Sequence, residues 1–188
     1  MNISTTYTKI ITGEDLMETA QHGSTLYPFQ FYYEDLSVFD FNCIEWHWHT
    51  ELEFIYIESG TVTLWIGEDQ FHLTEGNGVF INTKVLHRLY SPSKALIPNF
   101  VFMPSFIAPC DSLIYQKYIL PIISSSLPFL VFHKKVCWQA KVLSIMRQII
   151  SAQDSVLSKE LLTSSLLQNL WLEIFENTDI SYQEEHKD

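Results

Sequence analysis

From Phe29 onward the chain breaks into short runs of aromatic and β-branched residues, each bounded by Gly, Asp, Asn, Ser or Pro. No other feature limits the fold so tightly. The runs are Phe29 to Tyr33, Ile44 to His49, Leu52 to Ile57, Thr61 to Ile66, Gln70 to Leu73, Gly78 to Asn82, His87 to Tyr90 and Asn99 to Met103. Segments of this length and composition predict the strands of a small β-sandwich or barrel. Glu58-Ser59-Gly60, Gly67-Glu68-Asp69 and Glu75-Gly76-Asn77-Gly78 supply turn residues that tolerate positive φ, and they predict a meander of antiparallel hairpins.

Beyond about residue 110 the period changes. Val142, Ile145, Met146 and Ile149 recur at helical spacing and predict an amphipathic helix over 135–152. A second helix is predicted from Ser158, read as its cap, to Phe175, with Leu162, Leu166, Leu170 and Ile174 in one row beside Leu167, Trp171 and Phe175. Such a helical hairpin can dock on its own barrel, pair with a second subunit, or do both. The first 25 or so residues are mixed, punctuated by Gly13 and Gly23, with one short helical turn expected over Asp15 to Ala20. The resulting organisation is an N-terminal arm over 1–28, a barrel over 29–110, a helical extension over 111–180 and a tail or linker over 181–188.

Composition bounds the function classes. With 188 residues, 47% of them apolar, the chain can build one well-packed domain with an appendage. A formal charge of −11 repels polyphosphate, and Lys134-Lys135 is the only adjacent basic pair, so nucleic-acid binding by this segment is not expected. Cys43, Cys110 and Cys137 are odd in number without close pairing, which fits a reducing cytoplasm. The N-terminus lacks the pattern of a secretory signal. The greasiest stretch, Tyr118 to Phe132, is broken by Pro121, Ser124 to Ser126 and Pro128, so no membrane span is expected.

The chemistry concentrates in His47, His49, Glu53 and Gly60, which read His-x-His-x3-Glu-x6-Gly, with His87 about one hairpin further on. On a regular strand, residues at even spacing share a face, so the two imidazoles and the carboxylate converge if no bulge intervenes. With His87 they form a nitrogen and oxygen set suited to a divalent transition metal such as zinc, nickel, iron or manganese. The same four residues also suit a polar pocket for an organic effector, or in the plainest reading a solvated strand face. Trp46 and Trp48 have the opposite parity and are expected to pack between sheet and arm or helices.

This run resembles the first motif of the cupin superfamily. Its second motif is half kept: Gly76 and His87 hold their spacing, while Asn82, Lys84 and Ser91 replace the usual Pro, Gly and Asn, and Phe41 replaces the Gly six residues before His47. With Trp46-His47-Trp48-His49, Glu51 to Tyr56, Gly76 to Asn82 and Val85-Leu86-His87, and with the upstream segment His22 to Leu36, the chain resembles the N-terminal sensory domain of AraC-type transcription regulators. That resemblance implies a mainly β cupin barrel, a double-stranded β-helix of jelly-roll kind, followed by a C-terminal α-helical hairpin. It also implies a small-molecule effector, possibly sugar-like by the family default, and a homodimer. DNA contact would belong to a domain outside this chain, since nothing after Asn177 has the length or basic helices for it. The alternative is a stand-alone metal-dependent cupin enzyme, a dioxygenase or isomerase, with the same four ligands. The helical hairpin argues for the regulator and against catalysis.

Overall fold

The computed structural model describes residues 9–178, so the segments 1–8 and 179–188, including the expected tail over 181–188 and His186, lie outside the described residues. Eight strands follow the predicted runs closely: β1 (Phe29–Asp35), β2 (Cys43–His47), β3 (Leu52–Tyr56), β4 (Thr61–Ile66), β5 (Asp69–Thr74), β6 (Gly78–Ile81), β7 (His87–Tyr90) and β8 (Leu96–Phe102). A π-helical stretch (Tyr115–Ile119) runs into α1 (Leu120–Ile123); then come β9 (Phe129–Phe132), α2 (Cys137–Ala152) and α3 (Lys159–Glu176). The strand β9 was not anticipated. Its four residues are too few to show a period, and they sit in a stretch broken by Pro and Ser.

The strands form two antiparallel sheets, ordered β1-β8-β3-β6-β9 and β2-β7-β4-β5. The expected meander is corrected by this order: β4 with β5 is the one pair of sequence neighbours that are also sheet neighbours among the described strands. From β1 to β8 every other connection crosses between the two sheets, which stacks one apolar face of each against the other, and only β9 returns to the sheet that holds β8.

Alternation along the strands then sorts the side chains into two cores. Ile55, Ile57, Val62, Leu64, Ile66, Leu73, Val79, Ile81, Leu89 and Ile97 fill the barrel interior with aliphatic groups. On the other face of the first sheet, Phe54 of β3 stands opposite Phe100 of β8 and Phe80 of β6, with ring centroids 5.3 and 5.0 Å away. Cross-strand aromatic rows of this kind add attraction beyond simple burial. This phenylalanine layer is covered by Val142, Met146 and Ile149 of α2 and by Leu167, Leu170, Trp171 and Ile174 of α3. The predicted helical stripes thus dock on their own barrel. Trp171 Nε1 donates to the Tyr118 carbonyl (2.8 Å), and Lys141 pairs with the buried Glu173 between the two helices.

Two local expectations fail. Ser158 makes no side-chain cap bond to α3; its hydroxyl lies 3.2 Å from that of Ser155 instead. Asp15 to Ala20 forms no helical turn. Thr12 bridges Glu18 in a small antiparallel loop, and the backbone of Leu16 and Glu18 bonds to that of Trp48. Extended pairing with a strand end satisfies those amides better than one isolated turn of helix would.

The departures from the two cupin motifs have structural answers. Phe41 and Lys84, at positions where the motif carries Gly, keep left-handed backbone with φ of 58° and 60°. Asn82, in the place of Pro, donates from Nδ2 to the carbonyls of Ile122 (3.1 Å) and Leu127 (2.9 Å), tying the barrel to the segment before β9. Ser91, in the place of Asn, donates to the Thr61 carbonyl (2.8 Å).

Candidate functional site

A β-bulge sets up the site. The register of β2 against β7 shifts between Ile44 and His47, so two residues three apart both face the barrel interior. Without the bulge His47 would point outward. His49 follows β2 in the connection to β3, Glu53 lies in β3 beside the inward-facing Ile55, and His87 opens β7 directly opposite His47. The four are buried, at 3%, 4%, 7% and 0% exposure for His47, His49, Glu53 and His87.

The second ring nitrogen fixes what each imidazole presents. His47 Nδ1 lies 2.9 Å from the Glu45 carbonyl, His49 Nδ1 3.2 Å from the Glu51 carbonyl and His87 Nδ1 2.9 Å from the Val85 carbonyl. A carbonyl can only accept, so in all three rings Nδ1 carries a proton and Nε2 is left to face the site. The rings gather closely: centroids are 4.1 Å apart for His47 and His87, 5.4 Å for His49 and His87, and 5.9 Å for His47 and His49. Ligating atoms of the three histidines lie within 4.8 Å of one another. Glu53 Oε2 is 3.1 Å from His87 Nε2 and 3.4 Å from His49 Nε2. Neither Glu53 Oε2 nor His87 Nε2 has a well-formed hydrogen bond, although both atoms are buried.

Buried polar atoms without partners are costly, and three imidazole nitrogens with one carboxylate oxygen are a donor set that a divalent transition metal satisfies. The residues present fit such an ion. Carbonyl groups holding the far side of each ring are the arrangement that orients metal-bound histidines. The surroundings act differently on each donor. Burial pushes the His47 pKa down to about 3, helped by the neighbouring His87, which keeps this ring neutral and available as a donor. Burial acts to lower His49 too, but the Glu53 carboxylate outweighs it and the net shift is upward. Burial would raise Glu53, yet His49 and His87 hold it well below the usual carboxylate range.

The N-terminal arm closes over this cluster. The His22 ring packs edge-on against His49, with centroids 5.6 Å apart, while its Nδ1 is 2.9 Å from the Tyr32 hydroxyl and its Nε2 3.2 Å from Glu18 Oε2. Trp48, next to His49, bonds from Nε1 to the Asp15 carbonyl (2.9 Å), so it packs against the arm as its parity suggested. Further along the same mouth, Glu34 of β1 accepts a bond from the buried Asn99 of β8 (2.8 Å). Burial first, and then the charges of Glu53 and Glu18, raise the Glu34 carboxyl to about 8 despite that bond. Sequence reading missed His22, Glu18, Tyr32, Glu34 and Asn99. A signal existed for two of them: in Phe29-Gln30-Phe31-Tyr32-Tyr33-Glu34, Phe29 and Phe31 pack outward, so Tyr32 and Glu34 must face in.

Gly60, the last residue of the motif, has φ of +88°, and a Cβ there would sit 2.7 Å from the Lys94 carbonyl. It shapes the turn between β3 and β4 and touches none of the donors. His72 is exposed beside Thr63, and His133 is exposed; neither joins the cluster.

Two antiparallel sheets closed around an inward-facing cluster of histidine and glutamate define a cupin barrel, and residues 43–97 match the cupin domain family. The fold is therefore that of a cupin, and beyond the matched residues the similarity runs to a transcription regulator. An uncharacterized HTH-type transcriptional regulator of Bacillus subtilis (strain 168), YdeC, is 24% identical over 143 residues, 74% of this chain and 48% of the relative. This chain spans about half the length of that relative. The crystal structure of ToxT from Vibrio cholerae superposes with a TM-score of 0.55 at 14% identity, covering 82% of this chain and 57% of ToxT. The shared fold thus includes the helices as well as the barrel. Among the described residues, no helix is long and apolar enough to cross a membrane.

Proposed function

We propose that this chain is the effector-sensing and dimerisation part of an AraC-type transcription regulator, working in the cytoplasm and contacting DNA through a domain outside the sequence. In this reading residues 1–28 are the arm, 29–110 the sensory barrel and 111–180 the helical and dimerising extension. His47, His49, Glu53 and His87 hold a divalent metal, which would act as a Lewis acid toward an oxygen or nitrogen of the effector. The chain's own residues do the rest. The backbone carbonyls of Glu45, Glu51 and Val85 orient the imidazoles, and His22 and Glu18 cover the site from the arm. An effector seated there must move or rebuild the arm. Because the arm is joined to β1, and β1 lies in the sheet that carries α2 and α3, its position can bias how those helices are presented.

One observation carries the reading: a buried donor cluster lies under an arm in the same chain that leaves Leu161 and Leu172 of α3 exposed on its outer side. Those leucines are the expected contact with a second copy. Sedimentation equilibrium tests this directly. The wild-type chain is expected to be a dimer, and the Leu161→Glu/Leu172→Glu variant a folded monomer with unchanged metal content. A wild-type chain that stays monomeric at high concentration would contradict it. The donor set alone would also serve a metal-dependent cupin enzyme, and turnover of any small substrate by the metal-loaded chain would favour that second reading.

A further inference from the structure

The arm touches the rest of the molecule at two aromatic contacts close together in sequence. His22 lies against His49 at the imidazole cluster, and the Tyr27 ring stands edge-on to Phe106 with centroids 5.0 Å apart. The segment between them is a closed turn. Ser24 N donates to the Tyr27 carbonyl (2.9 Å), Tyr27 N lies 3.2 Å from the Ser24 carbonyl and 3.1 Å from its hydroxyl, and Phe29 N also donates to the Tyr27 carbonyl (2.9 Å). Gly23 starts the turn with φ of +75°, where a Cβ would sit 2.6 Å from Phe29 N and from the Tyr27 carbonyl oxygen. A turn bonded to itself in this way moves as one piece, so a shift of His22 is delivered at Tyr27.

Beyond Tyr27 the contacts lead to α3. Phe106 ends the short 3-10 turn Pro104–Phe106, and the next residue, Ile107, accepts a hydrogen bond at its carbonyl from Gln168 Nε2 (3.2 Å). Gln168 lies on the exposed stripe of α3 between Leu161 and Leu172, at helical spacing from both. The Tyr27 hydroxyl is buried without a well-formed hydrogen bond to the protein. Ring packing holds the side chain in, while the stranded hydroxyl favours release into water, so the seat is balanced between two arrangements.

We infer that Tyr27 is the latch through which the barrel site acts on α3. With its ring seated on Phe106, the arm covers the imidazole cluster and the Ile107 carbonyl holds Gln168; with the ring withdrawn, the cover and the Gln168 stripe loosen together. The inference rests on the barrel being the effector site and on that stripe being the contact with a second copy. It adds to that reading a route that runs through the arm's own turn, separate from the sheet. Coupling is reciprocal, so loosening either end must loosen the other.

Two readouts on the zinc-loaded chain test it. Amide hydrogen exchange reads the helix end, and the rate at which a chelator strips zinc reads the site end. Tyr27→Ala is expected to raise exchange at Ile107 and around Gln168, and to speed stripping, each by at least about tenfold. Tyr27→Phe keeps the ring and removes the stranded hydroxyl, so it is expected to slow both by about threefold or more, the opposite of what loss of a merely structural contact would do. His22→Ala, at the other end of the turn, is expected to raise exchange around Gln168. Exchange in β5, at the edge of the other sheet, should stay unchanged in all three variants. Stripping at the wild-type rate in Tyr27→Ala, unchanged exchange around Gln168 in His22→Ala, or faster exchange or stripping in Tyr27→Phe would each overturn the inference. A wild-type chain that takes up no zinc would instead overturn the metal reading of the barrel, and the exchange readout would still decide the latch.

Discussion

Glu53 and Phe54 are neighbours in β3, both are buried, and they belong to different halves of the molecule. Phe54 lies in the aromatic layer under α2 and α3, among aromatic and aliphatic side chains whose task is packing. Glu53 faces the barrel, whose aliphatic floor gives way at one end to imidazoles and carboxylates. One strand therefore divides stability from chemistry by parity alone. Substitutions one residue apart should separate cleanly in what they damage.

The largest expected effect is on the packing side. Phe54→Ala should cost about 3–5 kcal/mol of unfolding free energy, read from the denaturant midpoint, because a fully buried ring leaves a cavity between sheet and helices. Glu53→Gln should instead leave a folded chain whose affinity for zinc, followed by competition with a chelator, falls at least about tenfold, since even partners one step removed from a metal cost 10- to 100-fold. If Phe54→Ala lost metal affinity with its stability intact, or Glu53→Gln unfolded while keeping its metal, the division would be wrong.

A smaller effect concerns pH. The folded-state pKa of Glu34, raised to about 8, lies above the ordinary carboxyl value of 4.5, so between these limits the folded chain binds the extra proton. The stability this group contributes is therefore complete below about pH 4.5 and declines as pH rises toward 8. Glu34→Gln is expected to flatten that decline and to raise the Tm of the metal-free chain at pH 8 by a few degrees. An unchanged slope in thermal melts across this range would place the carboxyl in water instead.

The smallest effect belongs to the backbone. Phe41 and Lys84 are exposed, both with left-handed φ where the cupin motif has Gly. Phe41→Gly and Lys84→Gly should each stabilise by about 1 kcal/mol, the cost of that conformation for a residue with a Cβ. Gly60→Ala should do the reverse, because its φ is positive and a backbone carbonyl stands where the methyl would go. Denaturant titration of the three variants would check both signs.

These contrasts also explain what the sequence disclosed. The His47-x-His49-x3-Glu53 run was legible because its residues are close in sequence, although they converge through the bulge in β2 and the crossing from β2 to β3 and not on one regular strand face as expected. The strands were legible because alternation and turn residues are local as well, and the helical stripes because Val142 to Ile149 repeat over two turns. The bulge before His47 was not legible, since it depends on how β2 registers with β7, more than forty residues away. The sheet order was hidden for the same reason: a run that reads as a hairpin partner can equally cross to the other sheet. His22 reaches His49, and Glu34 meets Asn99, only after the arm and β1 have docked. Phe41 and Lys84 looked like lost motif positions, yet the backbone they replace is kept.

We propose that three carbonyl-anchored imidazoles and Glu53 form a metal site. Metal content by mass spectrometry, on protein purified without a His tag or chelator, tests it most directly when set beside the His47→Ala/His49→Ala variant. About one transition-metal ion per chain is expected in the wild type and none in a variant that remains folded. A wild-type chain that is folded and free of metal, even after incubation with zinc, nickel, iron and manganese salts, would contradict it.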